Sequence, residues 1–325
     1  CERRSDHQRR AGLPGARVPR EVMRRVEFVS FDHVRVLQLV VAWEACFLAM
    51  RRLCRRSSTP TVREHGASYC CSVINASWCT LAGAYLTRHL ASMPDESAAH
   101  VDPDDPNSWA GVWVKQAAYP FLAWLAMDLA HTAYHFPKLG GADALAHHAG
   151  FIALTVLQMS YDLLPVAAAW LLLGELSTLP LNLRWFLLQH GLGESRALFC
   201  TNIAFALTFL LVRVAFFWGG VAQVLLRLRP LLLAPPCHAP RLAVDVLCVA
   251  ITAAGCLNAW WMYKIVGMAL RATERRQPSV PPTPQSLGGS AQLVRAAPQG
   301  ARSDRQRPFL TLLLFLSPQV SKAAT

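Results

Sequence analysis

Seven apolar stretches constrain the fold of this chain more than any other feature. Six of them are clear and lie near 69–87, 110–130, 144–160, 163–187, 197–226 and 242–270, while a weaker one near 34–50 is interrupted by Glu44. A helix needs about 20 apolar residues to cross the hydrocarbon core of a bilayer. Only helices and closed barrels satisfy the backbone in lipid, and no stretch shows the two-residue alternation of a barrel strand. The sequence therefore predicts an all-α, polytopic transmembrane helical bundle with six or seven spans.

The composition supports a membrane environment. Of the 325 residues, 53% are hydrophobic and only 16% are charged, whereas about a quarter of a typical soluble domain is charged. The net charge of +12 does not indicate nucleic-acid binding, because much of it lies at the two ends and in the basic stretch 51–63 beside predicted spans. We therefore expect an integral membrane protein whose partners are membrane lipids and not nucleic acid, and the sequence identifies no protein partner.

Four parts of the chain differ in composition. Residues 1–26 are basic and lack an apolar segment, so we expect them to be disordered. Residues 27–68 hold the weak first span and a basic loop, and residues 69–271 hold the main membrane domain. Residues 272–325 are rich in Pro, Ser and Gln, which predicts a disordered cytosolic tail.

Ionisable residues lie near the ends of two neighbouring spans. Asp128 and His131 are three residues apart and so share a helical face. His147 and His148 are adjacent and diverge by about 100° on a helix, so they cannot both point into the bundle. Ionisable groups inside membrane helices are costly and often functional, and a neutral imidazole can act as a nucleophile or a base. The structural alternative is that these groups only mark the membrane boundary.

The segment 174–187, GELSTLPLNLRWFL, places polar residues in an otherwise apolar helix. Thr178 and Asn182 share the helical face of Glu175, whereas Ser177 turns away from it. Pro180 lacks a backbone donor and predicts a kink or break, which would leave carbonyl groups that need new partners. The segment therefore predicts a polar wall inside the bundle. Hydrogen bonding between helices is the structural alternative.

Three motifs, DLAHTAYHF, LAHHAGF and GELSTLPLNLRWF, together resemble the TLC-domain family of ceramide-synthase-related membrane proteins. The resemblance is nearest to the group called TLC domain-containing protein 4, in which a histidine pair precedes a Glu-x-Ser-Thr segment, an Asn and an Arg-Trp-Phe. Two later segments, FLLVRVAFF and LNAWWMYKI, resemble the last two spans of that group and include Arg213 and Asn258. The resemblance covers about residues 69–270. It implies a multi-pass protein of the endoplasmic reticulum.

The same resemblance implies a function in membrane lipid homeostasis, in which the bundle binds or handles an acyl-chain or sphingoid lipid. His147, His148 and Glu175 are then the candidate catalytic residues. The residues expected to contact lipid or line a polar pocket are Asp128, His131, Ser177, Thr178, Asn182 and Arg184.

An acyl-CoA-dependent N-acyltransferase like ceramide synthase is the alternative function, with acyl-CoA as co-substrate. Acyl transfer to an amine needs a base and stabilisation of an oxyanion, and His147 or His148 would be the base, oriented by Glu175. The chain departs from the synthase pattern at Gly174, where that pattern has a histidine, and at Thr178, where the second carboxylate is lost. These departures favour lipid handling and leave open whether the protein is an enzyme.

Two further classes are less well supported by the sequence. A membrane di-iron hydroxylase or desaturase would use histidine boxes such as His131-x-x-x-His135 and His147-His148, since imidazole suits iron. The chain offers only the isolated His190 and His238 after them, so we expect no metal and no cofactor. A transport-escort or structural membrane protein without a small ligand is the remaining alternative.

Overall fold

The computed structural model describes residues 31–102, 105, 108–137, 141–235, 237 and 239–274. In these residues every regular element is helical, and one isolated β-bridge joins His100 to Leu163. The α-helices are α1 His33–Cys54, α2 Pro60–Leu90, α3 Asp95–Ala99, α4 Trp109–Tyr134, α5 Ala142–Ser160, α6 Pro165–Leu173, α7 Thr178–Gln189, α8 Arg196–Thr208, α9 Phe216–Gln223, α10 Arg229–Leu233 and α11 Arg241–Glu274. The all-α prediction is confirmed.

Four helical segments of the described chain are long and apolar enough to cross a membrane. They are His33–Cys54, Pro165–Gln189, Arg196–Leu233 and Arg241–Leu270. Each of the seven apolar stretches coincides with a helix or a run of helices, because α2, α4 and α5 cover the remaining three. The count of six or seven membrane spans stays a prediction.

The part predicted for 27–68 contains the whole of α1 and the start of α2. α1 continues through Arg51 and Arg52 to Cys54, and α2 begins at Pro60, so most of the predicted basic loop is helical. The two arginines lie in the last turn of α1, where positive charge interacts favourably with the helix dipole. The predictions for 1–26 and for the tail lie outside the described residues, apart from the end of α11 at Glu274.

Close packing of α2 against α6 fixes one wall of the bundle. A Cβ atom added at Gly83 of α2 would lie 2.3 Å from the backbone nitrogen of Leu173 and 2.9 Å from the carbonyl oxygen of Ala169. Only a glycine allows the two backbones to approach this closely. Trp170 is buried beside this contact and its ring packs edge-to-face on Phe217 of α9. This wall carries the segment that follows α6.

Two irregular helical segments pack against each other. A 3₁₀ turn, Gly174–Ser177, joins α6 to α7, and a π-helical segment, Phe209–Ala215, joins α8 to α9. Pro180 lies in the first turn of α7, where the missing backbone N–H has no intrahelical acceptor. The irregular turn therefore comes just before the proline. Such interruptions are often found at functional sites.

Candidate functional site

A cavity of about 310 Å³ lies between α4, α5, α6, α9 and α11. Its walls are mostly apolar and include Phe121, Leu154, Leu171, Phe217 and Ile251. The volume falls within the roughly 300–1,000 Å³ of typical small-molecule sites, which are also mainly apolar with a few polar groups. The described part of the chain thus encloses a space suited to an apolar ligand.

An ion pair between Glu175 and Arg213 forms part of the cavity wall. Arg213 Nη2 donates to Glu175 Oε1 at 2.6 Å, and the two side chains are only 17% and 14% exposed. Thr178 Oγ1 donates to Glu175 Oε2 at 2.8 Å. Arg213 Nε also donates to the carbonyl oxygen of Gly174 at 3.1 Å and to Ser177 Oγ at 3.3 Å. The carbonyl group of Gly174 thus accepts hydrogen bonds from both the guanidinium and the Ser177 hydroxyl, the latter at 3.1 Å.

His147 and Asn258 contribute further polar groups to the same cavity. His147 lies on α5, and its ring centroid is 6.2 Å from that of Trp261 on α11. Asn258 lies one turn before Trp261 and is only 4% exposed. We call Glu175, Arg213, His147 and Asn258 the cavity cluster.

The cavity cluster lies toward one end of an elongated space. His147 is near the start of α5 and Gln158 is near its end, about 16 Å apart along the helix axis. α6 begins beside the end of α5 and reaches Glu175 about 15 Å further along, so Glu175 lies toward the His147 end. At the other end the Gln158 amide donates to the carbonyl oxygen of Leu163 at 2.8 Å. The cavity is thus polar toward one end and mainly apolar along the rest of its length.

The cavity opens to the outer surface between α5 and α11. Four of its lining residues, Ala146, Gly150, Ala253 and Leu257, are also exposed. A Cβ atom added at Gly150 would have nothing within 4 Å. Three of these four residues are Ala or Gly, so they leave a gap between α5 and α11. The apolar helix α11 forms part of the surface around this gap.

A second group of polar residues lies between α1, α4 and α5, outside the cavity lining. His148 Nε2 is 3.5 Å from Asp128 Oδ2, and both residues are less than a tenth exposed. His131 Nε2 is 2.8 Å from Glu44 Oε2. We call Glu44, Asp128, His131 and His148 the closed cluster.

The remaining polar residues of the 174–187 segment bind other helices. Asn182 Nδ2 donates to Ser72 Oγ of α2 at 2.9 Å, and Arg184 Nε donates to Asn202 Oδ1 of α8 at 2.7 Å. Neither residue lines the cavity. The predicted polar wall is therefore divided, with Glu175, Ser177 and Thr178 around Arg213 and the other two residues in contacts between helices. The functional roles predicted for all these residues stay predictions.

Arg213 and Asn258 line the cavity, and the sequence named them only within the segments that resemble the family, not as candidate site residues. Arg213 is a charged residue within the apolar stretch 197–226, and Asn258 is an amide within 242–270. A charged residue or an amide in a long apolar span is itself a signal. Neither residue belongs to a polar motif like that of 174–187, and only the fold brings them to Glu175 and His147.

Among the described residues, no group of three or more His, Cys, Asp or Glu side chains is arranged to hold a metal ion. The candidate site is therefore built from an ion pair, an imidazole, an amide and apolar walls. These features, with four apolar helices of spanning length, define an integral membrane protein with an internal cavity.

The family model of the TLC domain matches residues 67–267, well over half of the chain. No curated protein matches the chain, and no solved structure does. The chain belongs to the TLC-domain family. The resemblance noted in the sequence is thereby confirmed at the level of the family.

Proposed function

We propose that this protein binds a membrane lipid in the cavity between α5 and α11 and acts in membrane lipid homeostasis. The observation that carries the proposal is an elongated cavity with apolar walls, a polar cluster toward one end and an opening on the outer surface. An acyl chain would lie along Leu154, Leu171 and Ile251, and the head group would lie at the cavity cluster. The opening between α5 and α11 would admit the lipid from the bilayer.

Several finer assignments belong to the same proposal. The motif pattern supports placement in the TLC domain-containing protein 4 group, and membership of the family supports location in the endoplasmic reticulum. The seven helical stretches support a bundle of six or seven spans. Acyl-chain or sphingoid lipids of the membrane are the proposed partners, with no bound cofactor and no nucleic acid.

N-acyl transfer from acyl-CoA is the second candidate function. It is favoured by one observation, that His147 and Glu175 line the same cavity. Two contacts oppose the roles that the sequence implied, because Glu175 is held by Arg213 and His148 lies against Asp128 outside the cavity. Any base would therefore be His147. Membranes containing the protein, supplied with labelled acyl-CoA and a sphingoid base, should form no labelled amide above the background of membranes that lack it. Turnover that His147→Ala abolishes would favour the transferase.

Lipid retention by cavity-filling variants tests the proposed function. We expect native mass spectrometry of the purified full chain to detect a bound lipid that is enriched over the bulk membrane. Gly150→Leu places a side chain in the mouth of the cavity and should reduce that retention at least fivefold. Gly219→Leu is the matched control, because Gly219 lies outside the cavity lining and a Cβ atom there also meets nothing within 4 Å. Equal retention by all three proteins, or no enriched lipid, would refute the proposal.

A further inference from the structure

The charges of the cavity cluster compensate each other within the protein. Both carboxylate oxygens of Glu175 are engaged, one by Arg213 and the other by Thr178. Arg213 faces that carboxylate at 2.6 Å and donates further hydrogen bonds to Gly174 and Ser177. Among the described residues that line this end, a ligand head group therefore meets no unpaired carboxylate or guanidinium.

Asn258 is the polar group in the cluster that is left open to a ligand. Its side chain is 4% exposed and lines the cavity, and no hydrogen bond to it is found within the described part of the chain. Its amide therefore borders the cavity with its hydrogen-bonding capacity unused by the described residues, and polar groups in a mainly apolar site are usually hydrogen-bonded. A primary amide both donates and accepts. Asn258 is thus suited to an uncharged group that also donates and accepts.

We infer that the cavity selects lipids whose head group is uncharged and carries hydroxyl or amide groups, and that Asn258 recognises that head group. This inference rests on the proposed function, because it concerns the same cavity. A phosphorylated or cationic head group would have to lose its hydration without gaining an unpaired counter-charge, which is unfavourable in an apolar site. A hydroxyl or amide head group loses less hydration and satisfies the buried amide.

A comparison of three lipids with identical acyl chains tests the selectivity. The full chain is titrated with dioleoylglycerol, with dioleoylphosphatidic acid and with a dioleoyl lipid that carries a trimethylammonium head group. Native mass spectrometry measures the bound fraction of each lipid. We expect dioleoylglycerol to bind at least tenfold more tightly than either charged lipid. A tenfold difference in Kd corresponds to about 1.4 kcal/mol. Equal or tighter binding of a charged lipid would overturn the inference and leave lipid binding in the cavity intact.

The variant Asn258→Leu tests the recognition residue. It should weaken dioleoylglycerol binding about fivefold, which is the effect of one lost hydrogen bond, and leave the two charged lipids unchanged. Asn75→Leu is the control and should leave the binding of all three lipids unchanged, since Asn75 is a fully buried amide on α2 outside the cavity lining. An Asn258→Leu protein that binds dioleoylglycerol as tightly as the wild type would overturn the role of Asn258. Binding of none of the three lipids, together with no effect of Gly150→Leu on retained lipid, would instead refute the proposed function itself. The wild-type comparison needs no variant, so it remains decisive if Asn258→Leu does not fold.

Discussion

The cavity cluster and the closed cluster both bury a carboxylate beside a basic side chain, but they differ in what surrounds them. In the closed cluster, Asp128 and His148 lie between helices and face each other. In the cavity cluster, Glu175 is paired with Arg213, and the pair borders an open space. The two adjacent histidines divide between the clusters, because neighbouring side chains on a helix diverge by about 100°. One short motif thus supplies a packing contact and a candidate ligand contact.

The largest effect on stability should come from breaking the ion pair of the cavity cluster. Arg213→Met leaves Glu175 buried without its partner, and we expect the free energy of unfolding to fall by about 3–5 kcal/mol. The double variant Arg213→Met/Glu175→Leu should recover most of this loss, because it also removes the unpaired charge. Chemical unfolding of the purified protein in detergent micelles measures both. A single variant as stable as the wild type would show that the pair is solvated and not buried.

The contact that positions this cluster should give the next largest effect. Gly83→Ala places a methyl group 2.3 Å from the backbone of Leu173, two residues before Glu175. The helices α2 and α6 must then separate, and we expect a loss of about 1–3 kcal/mol in the free energy of unfolding. Gly219→Ala is the control and should change it little, because its added methyl group meets nothing within 4 Å. Equal stabilities of the two variants would contradict the close packing of α2 on α6.

A substitution in the closed cluster should affect the stability of the protein without affecting its lipid retention. Asp128→Asn removes the carboxyl group beside His148, and we expect the free energy of unfolding to fall by about 1–3 kcal/mol. Lipid retention in native mass spectrometry should stay at the wild-type level, since Asp128 does not line the cavity. His147→Ala should give the opposite result, with reduced retention and near wild-type stability. If both variants lose lipid equally, the division into two clusters is wrong.

A smaller, pH-dependent effect is expected outside both clusters. Burial lowers the pKa of His100 below its ordinary value of 6.5, and the nearby Asp162 and Asp102 raise it by less. The unfolded chain therefore binds a proton more readily than the folded one, so this histidine destabilises the fold as the pH falls below 6.5. We expect His100→Gln to flatten the dependence of the free energy of unfolding on pH between about 7 and 5. Identical pH profiles for the variant and the wild type would contradict the burial of His100.

The helices could be predicted from the sequence, whereas the partners of their polar residues could not. Apolar runs and their lengths are local properties, so all seven stretches correspond to helices. The segment 174–187 likewise indicated a polar interruption. Its residues bind Arg213, Ser72 and Asn202, which lie between 18 and 110 residues away along the chain. Only tertiary packing selects such partners, and the π-helical segment that carries Arg213 has no simple sequence signal.

The two adjacent histidines show the same limit of prediction from sequence within one motif. Helical geometry predicted that His147 and His148 diverge, but it could not say which of them faces a cavity. That choice depends on where α4 and α11 pack against α5, and Asp128 and Trp261 supply those contacts.

Photolabelling with a lipid is the most direct test of the claim that the cavity holds one. The full chain in lipid nanodiscs is exposed to dioleoylglycerol that carries a photoreactive group within one acyl chain, and labelled peptides are mapped by mass spectrometry. Labels at Leu154 and Ile251, which line the cavity, should disappear when excess unlabelled dioleoylglycerol competes, because that site is saturable. Labels on outward-facing residues such as Leu226, which is 77% exposed, should persist. Labels confined to the outward-facing residues, or cavity labels that do not compete, would contradict the account.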